Sequence, residues 1–380
     1  MSEPHRNRLL YIDWLRGIAV LLMFAAHVFA AWIQPSLVMT TAYRWINVVA
    51  GYSAPLFLFL TGVGMAMAFE SALARGSSRD DARRAARNRG LMIFIAAFVF
   101  RIQEHVLGGG PVANVLRVDI LNCIGLSMLL CAVLAFPPTK GAFAWRAAGA
   151  AVIVALLAPY VGRIRWPEWA PWQIYSYLSD QRSWFFPLFP WLAYPFAGLF
   201  AGTVWARAGR AEGTARRVML GTMLVGLLLV AGSWLYLGLP EPKFIAFGGR
   251  WRNLPSYTFT HIGWICVLAG VLWLVQPFFN PARFGPIRQL GRTSLLMYWV
   301  HVDLVYGHLV GEHALDIRGR LTLGQTALGL LVLTLIMLPL SWTRTRYFAA
   351  FKPAVVFERL WRDFTAQVRA AWQKKPSSAE

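Results

Sequence analysis

The segment Leu9–Trp32 reads LLYIDWLRGIAVLLMFAAHVFAAW and is apolar over most of its length. As a helix it is about 36 Å long, which exceeds the roughly 30 Å hydrocarbon core of a bilayer. Asp13, Arg16 and His27 interrupt it with charged or titratable side chains. Because such groups in membrane helices usually face a protein interior or a wet cavity, these three are the first candidates for a functional site.

The spacing of the three residues indicates how they cooperate. Arg16 and His27 are eleven residues apart, so they lie on one stripe of a helix, about 16 Å from each other. Asp13, three residues before Arg16, can orient and partly neutralise its guanidinium. Two simpler interpretations stay open: Asp13 and Arg16 reach the headgroups, and His27 only makes a hydrogen bond between helices.

The composition of the whole chain indicates an all-α, polytopic membrane protein. Of its 380 residues, 57% are hydrophobic and 14% are charged, and the mean hydropathy is +0.49. We attribute the net charge of +20 to membrane topology and predict the lipid bilayer, not nucleic acid, as a partner. Cys123, Cys131 and Cys266 lie in apolar segments without the spacing of a disulfide framework or a metal site, so no metal is predicted.

Apolar runs predict about ten transmembrane helices. The predicted spans are Leu9–Ile33, Ile46–Glu70, Leu91–Val106, Asp119–Phe136, Ala144–Tyr160, Trp184–Trp205, Val218–Leu237, Tyr257–Pro277, Ser294–Val310 and Leu321–Trp342. With both termini in the cytoplasm, most of the Lys and Arg residues fall on the cytoplasmic side. We predict one membrane domain, 1–343, followed by a basic amphipathic tail, 344–380, on the inner leaflet.

Further polar groups within the spans predict an internal chamber. In the predicted topology several of them fall toward the outer ends of their spans, as His27 does. The candidate chamber residues are Glu104, His105, Asp119, His261 and His301.

Two segments outside the spans or at their ends have more than one interpretation. Trp166, Trp169, Trp172 and Trp184 form either an interfacial aromatic belt or a stacking surface for a sugar. The segment 75–89 contains six arginines, which either set the topology or bind phosphate groups.

Several short motifs follow one another along the chain in a fixed order. They are Asp13–Gly17 with His27, Ala54–Gly62, Val118–Asn122 before Ile124–Leu126, Phe189–Trp191, and Leu290–Leu295 through Tyr298 to His301. In this order they resemble the transmembrane acyltransferases. The chain is similar to bacterial relatives of the heparan-α-glucosaminide N-acetyltransferase catalytic domain, and its Arg-to-His spacing is shared by the acyltransferase-3 family.

This resemblance implies that 1–343 is a transmembrane acyltransferase domain in the bacterial inner membrane. It implies acyl-CoA, such as acetyl-CoA, as co-substrate and a hydroxyl or amine of a sugar or glycan as acceptor. His27 would be the catalytic base or a transient acyl carrier, with Arg16 and Asp13 as its partners. Arg84 and Arg87 match the Arg-x-x-Arg that the acyltransferase-3 family uses in handling acyl-CoA.

The chemistry of the residues agrees with this expectation. Attack on a thioester needs a base whose pKa is near neutral, and histidine has an ordinary pKa of about 6.5. A multi-helix transporter or flippase is the main alternative, because a helical bundle with charged interior groups also describes carriers. A non-catalytic membrane subunit is the third possibility.

Overall fold

The computed structural model is an assembly of α-helices. It describes residues 10–109, 111–134, 143–178, 186–209, 213–239, 254–278, 285–307, 317–348, 350, 356, 359 and 363. The helices are α1 (Leu10–Trp32), α2 (Thr41–Ala50), α3 (Ser53–Ala74), α4 (Arg79–Gly108), α5 (Ile120–Leu134), α6 (Phe143–Val161), α7 (Trp172–Tyr175), α8 (Leu188–Trp191), α9 (Ala193–Ala208), α10 (Thr214–Gly238), α11 (Pro255–Val275), α12 (Gly285–Arg292), α13 (Ser294–Tyr306) and α14 (Leu323–Tyr347).

Nine helical segments among the described residues are long and apolar enough to cross a membrane. The predicted all-α polytopic architecture is therefore confirmed. The ninth predicted span, Ser294–Val310, begins at the residue where α13 begins, and α13 ends at Tyr306; the short helix α12 precedes this span and is separated from α13 by Thr293. Helix α13 has 13 residues and is about 20 Å long, so it is shorter than the nine segments counted above.

Two predicted boundaries are wrong. The predicted span Ile46–Glu70 is split between α2 and α3, and α2 exposes Trp45, Val48 and Val49 along its surface. Helix α4 begins at Arg79, twelve residues before the predicted span start at Leu91, so most of the segment 75–89 belongs to this helix. The Ser78 hydroxyl starts this helix by accepting a hydrogen bond from the Asp81 backbone N–H at 3.0 Å.

Three predicted span ends lie outside the described residues: Phe136, Trp184 and Val310. Helix α14 continues to Tyr347, past the predicted domain boundary after residue 343. Most of the tail 344–380 also lies outside the described residues, so the division into a membrane domain and a tail stays a prediction.

Glycines allow three helix pairs to approach closely. A Cβ atom at Gly62 of α3 would lie 2.0 Å from a carbonyl oxygen of α9, and one at Gly198 of α9 would lie 1.9 Å from a carbonyl oxygen of α3. Gly226 and Gly263 bring α10 and α11 together, and Gly125 does the same for α5 against α4. Small residues at helix interfaces are the usual device for tight packing in membranes.

Helix α1 is held near both of its ends. Near its start, a Cβ at Gly17 would lie 2.0 Å from a carbonyl oxygen of α12, and one at Gly291 would lie 2.5 Å from a carbonyl oxygen of α1. At its other end, the Trp32 indole donates to the carbonyl oxygen of Val305 at 3.0 Å. The backbone N–H of Leu321 donates to the Trp32 carbonyl oxygen at 2.9 Å. These contacts position His27, which lies five residues before Trp32.

We name the two ends of the bundle by their residues. The arginine end contains the start of α1 and the turn from α3 to α4. The histidine end contains the end of α1, the start of α5 and the end of α13.

Candidate functional site

A cavity of about 1910 Å³ lies within the bundle. Arg75, Arg89 and Arg292 line it at the arginine end. At the histidine end it is lined by four of the predicted chamber residues together with His27: Glu104, His105, Asp119 and His261. Arg16 also lines the cavity.

His27 contacts the fifth predicted chamber residue, His301. Nδ1 of His27 lies 2.8 Å from Nε2 of His301, and the two ring planes are inclined by only 10°. The ring centroids are 4.9 Å apart, which fits an in-plane hydrogen bond better than face-to-face stacking. His301 is fully buried and does not line the cavity, so it lies behind His27.

The partners of His301 determine which nitrogens carry hydrogen when both rings are neutral. Nδ1 of His301 lies 2.7 Å from the carbonyl oxygen of Met297, which can only accept, so this nitrogen is the donor. Nε2 of His301 is then an acceptor, and Nδ1 of His27 must donate to it. This leaves Nε2 of His27 with an available lone pair on a ring that lines the cavity.

A largely buried ion cluster lies at the histidine end. The Arg101 guanidinium contacts Glu104 at 2.5 Å and Asp119 at 2.9 Å. The other carboxylate oxygen of Asp119 accepts backbone hydrogen bonds from Leu121 and Asn122, at 2.9 and 3.1 Å, and so caps the start of α5. Asp119 therefore has a structural role in addition to lining the cavity.

Arg101 also lines the cavity, although it is absent from the predicted site residues. Its position three residues before Glu104 was a usable signal, because such a pair lies on one face of a helix. The contact to Asp119 of another helix has no signal in a single sequence.

His261 lies in an aromatic part of the cavity wall. Its ring stacks on Tyr52 with centroids 4.3 Å apart and lies 4.0 Å from the ring of Tyr257. Nδ1 of His261 donates to the carbonyl oxygen of Tyr257 at 2.8 Å. Tyr52, Tyr257 and His261 thus present stacking and hydrogen-bonding groups to the same space.

Asp13 and Arg16 form the predicted pair on α1, with 3.7 Å between their charged groups. Asp13 is buried, whereas the Arg16 guanidinium extends to the cavity beside Gly64 of α3. A Cβ atom at Gly64 would lie 3.2 Å from Nη2 of Arg16. The missing side chain at Gly64 therefore makes room for the guanidinium.

The predicted coenzyme-binding residues, Arg84 and Arg87, are exposed on α4 and are not among the residues that line the cavity. Arg89, two residues further along the same helix, does line it. The assignment of Arg84 and Arg87 to coenzyme binding stays a prediction. The cavity-lining arginines Arg75, Arg89 and Arg292 are further candidates for binding the coenzyme.

The tryptophan-rich segment packs in part against the site. Tyr177 hydrogen-bonds Asn122 and lies close to Asp119, and burial raises the pKa of Tyr177 to about 12. The rings of Trp166 and Tyr175 stack 5.9 Å apart, whereas Trp169 is highly exposed. Trp184 lies outside the described residues. Both interpretations of this segment stay open.

No group of three or more His, Cys, Asp and Glu side chains that could hold a metal ion occurs among the residues that the structure describes.

The fold and the site define a multi-pass α-helical membrane protein with a polar cavity inside its bundle. The family model described as "Heparan-alpha-glucosaminide N-acetyltransferase, catalytic" matches residues 8–235, more than half of the chain. The chain therefore belongs to this family, and it is a membrane acyltransferase by family membership. The matched region contains His27 and the Arg101 cluster, while His261 and His301 follow it. A comparison with curated proteins gives no significant match.

Proposed function

We propose that this protein transfers an acetyl or short acyl group from acyl-CoA to a hydroxyl or amine of a sugar or glycan, with His27 as the reacting histidine. Family membership supports acyl transfer to a sugar. The observation that supports the role of His27 is the hydrogen-bonded series from His27 through His301 to the Met297 carbonyl, which leaves the lone pair of Nε2 available on a ring that lines the cavity.

In the proposed reaction, Nε2 of His27 accepts the proton of the acceptor hydroxyl or amine as that group attacks the thioester carbon. The carbon–sulfur bond then breaks, and the thiolate takes the proton back from the imidazolium. Nε2 of His301 accepts the hydrogen bond from Nδ1–H of His27 at every stage, so it keeps His27 in one tautomer. A covalent variant, in which Nε2 first carries the acyl group, uses the same orientation.

We propose that the coenzyme enters at the arginine end. Guanidinium groups bind phosphates through charge-assisted and bidentate hydrogen bonds, and Arg75, Arg89 and Arg292 lie where the cavity reaches that end. Arg16, farther inside, is placed to contact the arm of the coenzyme. The thioester would then reach His27 through the cavity.

The same arrangement supports the predicted orientation in a bacterial inner membrane. Arginines of the α3–α4 turn, of α9 and α10, and of the end of α14 concentrate at one end of the bundle. The positive-inside rule assigns this end, with both termini, to the cytoplasm, where acyl-CoA is available.

The test of donor binding is thermal stabilisation of the detergent-purified protein by acetyl-CoA and by CoA. Ligand at 100 times its dissociation constant stabilises the folded state by about 2.7 kcal/mol. We expect a saturable shift that is reduced in Arg75→Gln/Arg89→Gln. The Arg84→Gln/Arg87→Gln variant, which changes the same charge on the exposed side of α4, decides between the two arginine pairs. Absence of a shift at millimolar ligand would favour the transporter alternative.

His27→Ala tests the catalytic role. We expect loss of transfer, with acetyl-CoA still stabilising the variant. Mass spectrometry after incubation with acetyl-CoA and no acceptor separates base from carrier, because only a carrier gains one acetyl group on a peptide containing His27. Wild-type transfer rates in His27→Ala would refute the assignment.

A further inference from the structure

The cavity reaches the side of the bundle at the histidine end. Large apolar side chains of two helices that are distant in sequence line it there: Trp45 and Val48 of α2, and Trp234 of α10. They are 66%, 55% and 68% exposed, respectively. Trp264 of α11, which is 42% exposed, also lines the cavity.

Helices α2 and α10 are both peripheral. Helix α2 packs mainly against α1, and α10 packs mainly against α9 and α11, with no extensive contact between α2 and α10. Helix α10 is a membrane span that exposes Leu224, Leu227 and Leu228 on its outer side. Because Trp234 belongs to this peripheral helix and also lines the cavity, the cavity extends to the boundary between protein and lipid.

The depth of this opening places it in one leaflet. Trp234 lies four residues before the end of α10, which corresponds to about 6 Å along the helix axis. Trp264 lies nine residues after the start of α11, which corresponds to about 14 Å. The opening thus begins near the interface and extends into the hydrocarbon region. An exposed apolar slot at this depth is filled by hydrocarbon chains in a bilayer.

We propose that the acyl acceptor is a lipid-linked sugar, which enters sideways through this opening, defined by Trp45, Val48, Trp234 and Trp264. The inference rests on the proposed function and specifies its acceptor. The hydrocarbon chain lies between α2 and α10, where the walls are aromatic and aliphatic. The sugar reaches the polar interior, where Tyr257, Thr260 and His261 line the same cavity as His27.

A lipid-linked sugar as acceptor explains why the cavity has both apolar and polar walls. A water-soluble sugar would need the polar interior but no apolar slot at membrane depth. A lipid without a sugar would need the slot but not the hydrogen-bonding groups of His261 and Tyr257. Tryptophan suits the rim, because its amphipathic ring is favoured where hydrocarbon meets headgroup.

The first experiment measures occupancy of the opening without turnover. A phospholipid with a diazirine in its acyl chain is incorporated into nanodiscs with the protein, irradiated, and mapped by mass spectrometry. We expect labelling at Ala26, Ala30 and Val48, which line the cavity, and at Leu228, which is exposed on α10 away from it. Labelling of Leu228 without labelling of Ala26, Ala30 and Val48 would show that lipid does not enter the opening, and it would refute the proposed route.

The second experiment measures acetyl transfer from acetyl-CoA to methyl, octyl and dodecyl α-D-glucosaminide in the same nanodiscs. We expect kcat/KM to rise at least tenfold from methyl to dodecyl, and Trp45→Ala/Trp234→Ala to remove most of this rise. The matched control is Trp145→Ala/Trp342→Ala, which removes two exposed tryptophans of spanning helices that do not line the cavity. Equal kcat/KM for all three chains, or no turnover of the dodecyl glycoside by a protein that uses the methyl one, would refute a lipid-linked acceptor.

Together with the acetyl-CoA stabilisation test, these two experiments separate the two proposals. Absence of acetyl-CoA stabilisation and of transfer, with labelling of the opening intact, would refute the proposed function and with it the acceptor assignment. Stabilisation and transfer without labelling of the opening would refute the lateral route alone.

Discussion

Replacing His301 with leucine tests the orientation of the reacting histidine. In the wild type, Nδ1–H of His27 donates to Nε2 of His301 at 2.8 Å. Leucine has a similar size but no acceptor, so the change removes this partner without opening a large cavity. We expect transfer to slow strongly while the fold persists.

The size of the effect follows from the lost hydrogen bond. A buried donor left without a partner costs about 1–3 kcal/mol. If this cost falls on the transition state, kcat decreases by roughly 5- to 150-fold. Because His301 does not line the cavity, KM for acetyl-CoA should stay within about twofold of the wild-type value.

Glutamine at the same position provides the control. Oε1 of a glutamine is the same number of bonds from the backbone as Nε2 of the histidine, so His301→Gln can again accept from His27. On a logarithmic scale, we expect the decrease in kcat of His301→Gln to be at most half of the decrease that His301→Leu causes. The assay is acetyl transfer in nanodiscs, with thermal unfolding measured in parallel. Wild-type kcat in a folded His301→Leu variant, or no difference between the two variants, would refute the positioning role.

Three further predictions concern packing and charge, with thermal unfolding and acetyl transfer as measurements. Gly62→Ala should lower stability by about 1–3 kcal/mol or more, because its Cβ meets a carbonyl oxygen of α9, whereas Gly221→Ala, with open space around it, should be neutral or stabilising by up to about 1 kcal/mol. Arg101→Ala should cost about 3 kcal/mol, because Glu104 and Asp119 lose the cation that contacts both of them in a largely buried cluster. Gly64→Val should displace the Arg16 guanidinium and raise KM for acetyl-CoA at little cost in stability, because a flexible side chain can move.

Each of these predictions has a result that contradicts it. Equal stability of Gly62→Ala and Gly221→Ala would mean that α3 and α9 separate easily. A folded Arg101→Ala variant with wild-type melting temperature would mean that the carboxylates are solvated. An unchanged KM in Gly64→Val would remove the coenzyme contact assigned to Arg16.

The class of fold was predictable because hydropathy reports directly which segments fit a membrane. The break inside the second predicted span was not predictable, because it occurs within apolar sequence. The interruption at Gly51 and Tyr52 separates α2 from α3 inside Ile46–Glu70, whereas the predicted start of the ninth span at Ser294 agrees with the start of α13. Hydropathy averaged over a span cannot separate a continuous helix from two helices joined by a two-residue break.

The candidate site was predictable as a set of residues at similar depth. His27, Glu104 and His261 reach one cavity because each lies near the same end of its span. The specific pair of His27 and His301 was not predictable, because 274 residues separate them and helix packing alone brings them together. Arg84 was selected by a short motif, and its exposed position depends on which face of α4 packs inward.

The attachment of α1 near both ends turns this helix into a fixed spacer. Gly17 is held against α12 and Trp32 against α13, so the distance along the axis from Arg16 to His27 is set at about 16 Å. Deleting one apolar residue between them, such as Leu21, would shift His27 by about 1.5 Å and rotate it by about 100° relative to Arg16. The span would remain long enough for the membrane, yet acyl transfer should cease. Wild-type transfer by this deletion variant would show that the protein can adjust the position of His27 relative to Arg16. The length of α1 therefore fixes the distance between Arg16, proposed to contact the coenzyme, and the reacting histidine.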